Sequence, residues 1–226
     1  MSMGEHWRSF VLSYVQARFE AASCHLAAVR DSIGLDPGEL RDAQFVRFNS
    51  YIVVKEYLNS RKYGGNAHAV EFGGSNGLIK AMLSGVRYEV APNFPDVDIQ
   101  SLTAYAAQSY DIVVVDNILE HVADPQKAVA EISRILKTDG ICICLTPFLI
   151  KIHGYPDDYW RFTGTGLRKL FENFREVKIW SWGNRFTIRT TIQLGWLSTR
   201  NSKRLLKAAL WNEDEWPITY LTIARK

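Results

Sequence analysis

The chain has 226 residues, of which 47% are hydrophobic and 23% charged, with a formal net charge of +3 at pH 7. This balance is typical of a folded globular protein and excludes a disordered chain, a collagen-like repeat and a long coiled coil. No apolar run approaches the ~18 residues of a membrane span, no signal peptide is recognisable, and three cysteines are too few for a disulfide framework.

We therefore expect a cytoplasmic protein without a membrane partner. Cys142 and Cys144 lie within the apolar run ICICLTP, which predicts that both are reduced core residues.

The first 66 residues are predicted to be helical. Apolar residues recur at helical spacing over residues 7–29, and a second helix is predicted from the capping sequence at residues 36–39 to about Asn59. Only a short polar link follows. We expect residues 1–66 to form an N-terminal helical cap on a domain of residues 67–226, as one compact unit.

Strands and helices alternate from residue 67 onward. Strands are predicted at residues 67–72, 86–90, 96–99, 111–116 and 141–147, of which 96–99 is the weakest. Helices are predicted at 77–83, 124–136 and 165–174, with a turn at 138–140; a strand at 176–182, an irregular basic stretch and a last strand at 218–226 follow. This order predicts an α/β, Rossmann-like, doubly wound and mostly parallel sheet with an antiparallel C-terminal strand.

The notable polar residues gather where the predicted strands end. In such a sheet ligands bind beyond the carboxyl ends of the strands, and residues 71–77, 89–98, 116–121 and 146–163 reach that edge. The first of these segments, EFGGSNG, lacks the G-x-G-x-x-G pattern of a dinucleotide site. Its acidic residue repels pyrophosphate but attracts an ammonium group.

The same segments resemble a known family. EFGGSNG resembles the E-x-G-x-G-x-G motif of the class I S-adenosylmethionine-dependent methyltransferases, although Ser75 replaces the middle glycine. Residues 111–140 resemble the family's fourth strand, its L-E-H turn, the helix that follows and the start of strand five. Residues 153–163, HGYPDDYWRFT, resemble a loop found in a subset of these proteins. The resemblance spans residues 67–174.

The resemblance implies S-adenosylmethionine as cofactor and assigns its contacts. Glu71 would lie near the methionine amino group, and the turn beneath the methionine and ribose would be formed by Phe72, Gly73, Gly74 and Gly77. Glu89 would hold the ribose hydroxyls, although Val90 or Ala91 could occupy that position. The adenine amino group would meet Asp98 or Ser101, and Asp116 and Asn117 would lie beside the methionine and the transferred methyl.

The candidate catalytic residues are His153, Asp158 and His121. A methyl transfer requires alignment of the acceptor and, for an alcohol or ammonium acceptor, removal of a proton. His153 and Asp158 lie among aromatic residues after strand five, in a loop that is expected to carry the acceptor. A purely structural aromatic cover, with His121 and Glu120 orienting local backbone, is the alternative.

A metal site is the less favoured interpretation of the L-E-H turn. Residues 117–121 resemble the E-x-x-E-H metal motif of the small-RNA terminal methyltransferases, but Asn117 stands in place of the first Glu. A hard cation would lose one charged ligand. His153 could replace it only if its loop folds back, so we expect no metal.

The sequence therefore favours methyl transfer to an oxygen or nitrogen of a small-molecule acceptor. Residues 161–207 contain eleven Lys or Arg and two Asp or Glu, a local charge of +9 that would suit an anionic acceptor. An RNA-modifying enzyme that uses this basic region, with Trp180, Trp182, Phe186 and Trp196 for stacking, is one alternative. A non-catalytic cofactor-binding or scaffold protein of the same fold is the other.

Overall fold

The structure is a computed structural model that describes residues 47–61, 63–74, 78–154, 156–194 and 211–226. The helix predicted at residues 7–29, the beginning of the second predicted helix and Gly77 lie outside these residues. Within the described ranges, no helix is both long enough and apolar enough to cross a membrane.

Six strands form a single mixed sheet, in the order β2-β1-β3-β4-β6-β5. In chain order they are β1 His68–Gly73, β2 Arg87–Val90, β3 Tyr110–Asp116, β4 Leu136–Pro147, β5 Glu176–Trp182 and β6 Thr219–Arg225. Strands β1 to β4 pair in parallel, whereas β6 runs antiparallel to both of its neighbours. This arrangement confirms the predicted Rossmann-like fold with an antiparallel C-terminal strand.

Helices cover both faces of the sheet, and each face has its own apolar core. The helices are α1 Phe48–Arg61, α2 Leu78–Met82, α3 Pro125–Ile135, α4 Gly164–Leu170 and α5 Arg185–Leu194, and a 3-10 turn spans Leu119–His121. Side chains of α1, α2 and α5 pack in one core, and those of α3 and α4 pack in the other. The apolar runs of β3 and β4, including Cys142 and Cys144, are buried because both faces are covered.

The local capping signals explain where several helices begin. The predicted Asp124-Pro125 cap is present: Asp124 Oδ1 accepts a hydrogen bond from the amide of Lys127, and proline occupies the first helical position. Helix α5, which the sequence analysis took for irregular chain, begins in the same way, since Asn184 Oδ1 accepts from the amide of Thr187.

The prediction of a strand at residues 96–99 is wrong. The segment forms turns instead, in which Asp98 Oδ1 accepts a hydrogen bond from the amide of Gln100 at 2.9 Å. This local bond satisfies the backbone within the turn, and the sheet therefore ends at β2. Two boundaries also differ, because Leu136 begins β4 and the predicted helix at 165–174 ends at Leu170.

The turn predicted at residues 138–140 lies within β4. Asp139 has a positive φ of 65°, and the pairing of β3 with β4 shifts register between Tyr110 and Ile112. The strand continues through this irregularity instead of beginning after it.

The ends of β1 and β3 approach each other closely at Gly73. This glycine pairs with Asp116 and has a φ of 97°, and a Cβ atom there would lie 2.4 Å from the carbonyl oxygen of Asp116. A Cβ at Gly74 would meet no atom within 4 Å. Backbone packing therefore requires glycine at position 73 but not at position 74.

Gly73→Ala should lower the free energy of unfolding by at least ~2 kcal/mol, because the added Cβ overlaps backbone and occupies a left-handed conformation. Gly74→Ala is the matched control and should change it by no more than ~0.5 kcal/mol. Chemical denaturation of both variants measures the difference. Equal stability of the two variants would contradict this account of the turn.

Candidate functional site

A cavity of about 420 Å³ opens at the carboxyl ends of β1, β2 and β3. Its volume falls in the ~300–1,000 Å³ range of ligand pockets. The strand ends contribute Gly73 and Gly74 from β1, residues 92–94 after β2 and residues 116–118 after β3. A further wall comes from the loop after β4, through residues 156, 157 and 159. The structure thus brings residues of all four predicted segments to one cavity.

The carboxylate of Asp116 is the most constrained group of the site. It is 2% exposed, and it accepts hydrogen bonds from the Tyr51 hydroxyl at 2.7 Å, Arg47 at 3.2 Å and Asn117 Nδ2 at 3.1 Å. Burial raises the pKa of Asp116, an effect that Arg47 and the Tyr51 hydrogen bond oppose and that the neighbouring Glu71 reinforces. Helix α1 therefore stabilises the charge at the end of β3.

Arg47 also joins helix α1 to the glycine turn. Its guanidinium donates to the carbonyl oxygen of Gly74 at 3.2 Å and lines the cavity. Neither Arg47 nor Tyr51 was predicted as a site residue, because nothing in a helical pattern indicates which polar residue reaches a strand end 65 or more positions away.

Glu71 is buried at the end of β1 but does not form part of the cavity wall. Its Oε2 accepts a hydrogen bond from the Tyr88 hydroxyl at 2.6 Å. The two residues that follow it, Phe72 and Gly73, do line the cavity, and the Phe72 ring packs against Tyr105.

Of the residues predicted to contact the ribose or the adenine of the cofactor, one lines the cavity and two do not. The Glu89 carboxylate accepts a hydrogen bond from the Tyr110 hydroxyl and lies 3.6 Å from His68, outside the cavity wall, and Ser101 is exposed outside the wall as well. Asp98 lies in the wall. The structure therefore brings Asp98, but neither Glu89 nor Ser101, to the cavity.

Besides Arg47, two polar wall residues were not singled out from the sequence. Asn93 follows β2 in the cavity wall, and Gln100 follows Asp98 there. Asn93 was overlooked because an acidic residue was expected at the end of the second strand. Its position just after that strand could have indicated that it lies in the site.

The loop after β4 folds back onto the 3-10 turn. The amides of Tyr159 and Trp160 donate to the carbonyl oxygen of Glu120 at 2.8 and 3.2 Å, and the Trp160 indole donates to the carbonyl oxygen of Val122 at 2.8 Å. These bonds hold one side of the loop against the cavity and bring its beginning, at His153, beside the turn.

Glu120, His121 and His153 come together under this loop. Oε1 of Glu120 lies 3.7 Å from Nε2 of His121 and 3.9 Å from Nε2 of His153, and the two imidazole rings meet edge to face at 4.9 Å. Glu120 is fully buried, and neither of its carboxylate oxygens accepts a hydrogen bond from the residues that the structure describes. Burial raises the pKa of Glu120 to about 8.

Asp158 supports this cluster from outside the cavity wall. Its carboxylate is paired with Arg161, and its Oδ2 accepts from the amide of His153 at 2.8 Å. The Arg161 hydrogen bonds lower the pKa of Asp158 to about 2. Of the three predicted catalytic residues, only His121 lines the cavity; His153 and Asp158 lie behind it.

Tyr51→Phe should lower the free energy of unfolding by ~1–3 kcal/mol, because the buried Asp116 carboxylate loses a hydrogen-bond donor that water does not replace. Ser60→Ala on the same helix is the control. Its hydroxyl bonds the Tyr57 carbonyl in solvent, so the change should stay within ~0.5 kcal/mol. Urea denaturation tests both; a Tyr51→Phe protein as stable as wild type would show that the contact with Asp116 contributes nothing.

Comparison with known proteins gives one family match and several similar folds. A family model described as a methyltransferase domain matches residues 58–144. No curated protein matches the chain significantly.

Two solved structures share the fold. One is a S-adenosylmethionine-dependent methyltransferase from Archaeoglobus fulgidus, with 16% identity and a TM-score of 0.50 over 78% of this chain and 94% of that one. The other is a candidate sarcosine dimethylglycine methyltransferase from Galdieria sulphuraria, with 14% identity and a TM-score of 0.50 over 79% of this chain and 88% of that one.

Proposed function

We propose that this chain, a S-adenosylmethionine-dependent methyltransferase by its domain match and its fold, methylates an oxygen or nitrogen of a small-molecule acceptor. One observation carries the proposal. The cavity at the carboxyl ends of the strands has the glycine turn and Asp116 on one side and the His121 turn on the other. A methyl donor and an acceptor would therefore meet at residues 116–121.

The residues present fit the cofactor, which when bound supplies a methyl group on a positively charged sulfur. Asp116 contributes negative charge to the wall, and Gly74 leaves open space beside it. Because Arg47 pairs with Asp116 in the same wall, we propose that the Asp116 carboxylate contacts the cofactor as a hydrogen-bond acceptor and not as an unpaired charge. We propose that Asn117 shares this contact.

The remainder of the cavity suits a nucleoside. Asp98, Gln100 and Asn93 offer hydrogen-bonding groups, and Phe72 and Phe94 offer apolar walls. We propose that Asp98 contacts the base, as the sequence resemblance implies, and that Asn93 takes the ribose contact assigned from the sequence to Glu89.

The acceptor would lie against the loop after β4. We propose that His121, which lines the cavity, activates its nucleophilic atom, and that His153 assists through its edge-to-face contact with His121. Asp158 would position His153, because its Oδ2 accepts from the His153 amide and lies 3.4 Å from Nδ1 of the His153 ring. The same loop excludes water from the reacting atoms, because its backbone is bonded to the turn at Glu120.

We propose that helix α1 forms part of the catalytic unit instead of a separate domain. Tyr51, Ile52, Val54 and Leu58 are buried in the core of the sheet, and Arg47 lines the cavity. The RNA alternative has less support. Trp182 is buried and Trp180 is half-buried against the same core, so that of the aromatic residues named for base stacking only Phe186 is exposed among the described residues; Trp196 lies outside them.

Gly74→Val should weaken binding of S-adenosylmethionine and its demethylated product by at least ~10-fold, because the side chain enters space that the cofactor requires. Gly65→Val, at a glycine outside the cavity wall, is the control and should bind as wild type does. Isothermal titration calorimetry gives both affinities. Absence of binding to the wild-type protein would reject the proposed function.

His121→Ala should lower methyl transfer by ~10²-fold or more while cofactor affinity stays within ~2-fold, since His121 serves the acceptor side. The assay measures transfer of a labelled methyl group to a panel of small amines and alcohols, with mass spectrometry of the product. Equal loss of cofactor binding and turnover would place His121 on the cofactor side instead.

A further inference from the structure

We propose that Glu120, His121 and His153 form a binding site for one divalent transition-metal ion of the Zn²⁺ type. One carboxylate oxygen and one ring nitrogen of each histidine lie within 4.8 Å of one another. Ligands around a tetrahedral zinc ion are separated by about 3.3 Å, given Zn–N and Zn–O bonds of ~2.0–2.1 Å. The side chains would close in by a few tenths of an ångström to about 1.5 Å on binding.

The outer nitrogens of both histidines face oxygen acceptors. Nδ1 of His121 lies 2.5 Å from the carbonyl oxygen of Asp157, and Nδ1 of His153 lies 3.4 Å from Oδ2 of Asp158. An N–H on Nδ1 of His121 would donate to the Asp157 carbonyl and leave a lone pair on Nε2, the atom that faces Glu120. Histidines that bind metals are oriented by acceptors in this way. The His153 ring is placed by its proximity to Asp158, without a hydrogen bond between Nδ1 and that carboxylate.

The buried carboxylate provides the second, independent observation. Glu120 is fully buried, and among the described residues no donor reaches either of its oxygens. A buried carboxylate without hydrogen bonds is costly, so it is expected to be neutralised by a proton or by a cation. Two imidazole nitrogens lie 3.7 and 3.9 Å from the same oxygen of this carboxylate, and this arrangement of three potential ligand atoms favours the cation.

The neighbouring positive charges are already engaged. Arg47 pairs with Asp116, and Arg161 pairs with Asp158. The positive field that these arginines would otherwise impose on a metal ion is therefore reduced by their own carboxylate partners.

This ligand set reverses the expectation drawn from the sequence. Asn117 turns its side chain towards Asp116 and does not join the cluster. The loop folds back, as the metal interpretation required, and adds His153 as the third ligand. Two imidazoles and a single carboxylate suit Zn²⁺ or a similar ion better than Mg²⁺, which prefers oxygen ligands.

The role of the ion rests on the proposed function, although its binding does not. His121 lines the cavity, so an open coordination position would face the acceptor. An acceptor oxygen or nitrogen bound there would release its proton to solvent more readily. Its lone pair would then form the bond to the methyl carbon, while the carbon–sulfur bond breaks and its electron pair stays on sulfur.

Metal binding is tested on the full chain after removal of bound metal with a chelator, in the absence of cofactor. Titration with Co²⁺ should give one site per chain with the visible absorption of a nitrogen- and oxygen-bound ion, and Zn²⁺ should displace it. Glu120→Gln and His153→Ala should each weaken Co²⁺ binding by at least ~100-fold. His68→Ala, which removes a histidine beside Glu89 outside the cluster, should bind as wild type does.

Two outcomes of this titration would refute the metal site. A wild-type protein that binds no Co²⁺ or Zn²⁺, or that binds it with the same affinity after Glu120→Gln and His153→Ala, refutes the site. Cofactor titration of each variant confirms that it is folded and separates this failure from failure of the proposed function, since a chain that binds cofactor but no metal refutes only the metal site.

Discussion

The buried carboxylate of Asp116 organises the cavity side of the molecule. It lies at the end of the central strand β3 with 2% exposure, where hydrogen bonds from Arg47, Tyr51 and Asn117 offset the cost of its charge. These bonds bring helix α1 to the sheet edge. Arg47 then reaches the Gly74 carbonyl, so one buried charge connects α1, β1 and β3 around the cavity.

The six residues from Asp116 to His121 connect the two halves of the site. Their first members lie at the strand end against the glycine turn, and their last members form the 3-10 turn to which the loop after β4 is bonded. Because the segment is short and both Asp116 and Glu120 are buried, a displacement of the strand end would also move Glu120 and His121. The proposed cofactor and acceptor sides are therefore held in a fixed relation, which alignment for in-line transfer requires.

Local sequence patterns predicted most of the sheet but not all of the cavity. Strand β3 was recognisable because both of its faces are buried and its sequence is apolar throughout, and Asp124-Pro125 marked the start of α3. Residues 96–99 were mistaken for a strand because alternation of polar and apolar residues does not reveal an aspartate that bonds its own backbone. Helix α5 was missed although Gly183-Asn184 offered a capping signal.

The long-range contacts could not be predicted from the sequence in the same way. Arg47 and Tyr51 meet Asp116 across more than 60 residues, and the approach of Gly73 to the Asp116 carbonyl depends on the pairing of two strands. The fold-back of His153 onto Glu120 likewise depends on backbone bonds from Tyr159 and Trp160. Such contacts follow from the assembled sheet, and no local pattern encodes them.

The central claim is that S-adenosylmethionine binds in the cavity at the carboxyl ends of β1, β2 and β3. Titrating the isotopically labelled protein with the cofactor and following backbone amide resonances by NMR tests it most directly. Binding in the cavity should produce large shifts at Gly74, Asn93 and Asn117 and none at Gly140 or Lys226, which lie together away from this edge. Unchanged resonances at the cavity residues, or shifts confined to the opposite end of the sheet, would contradict it.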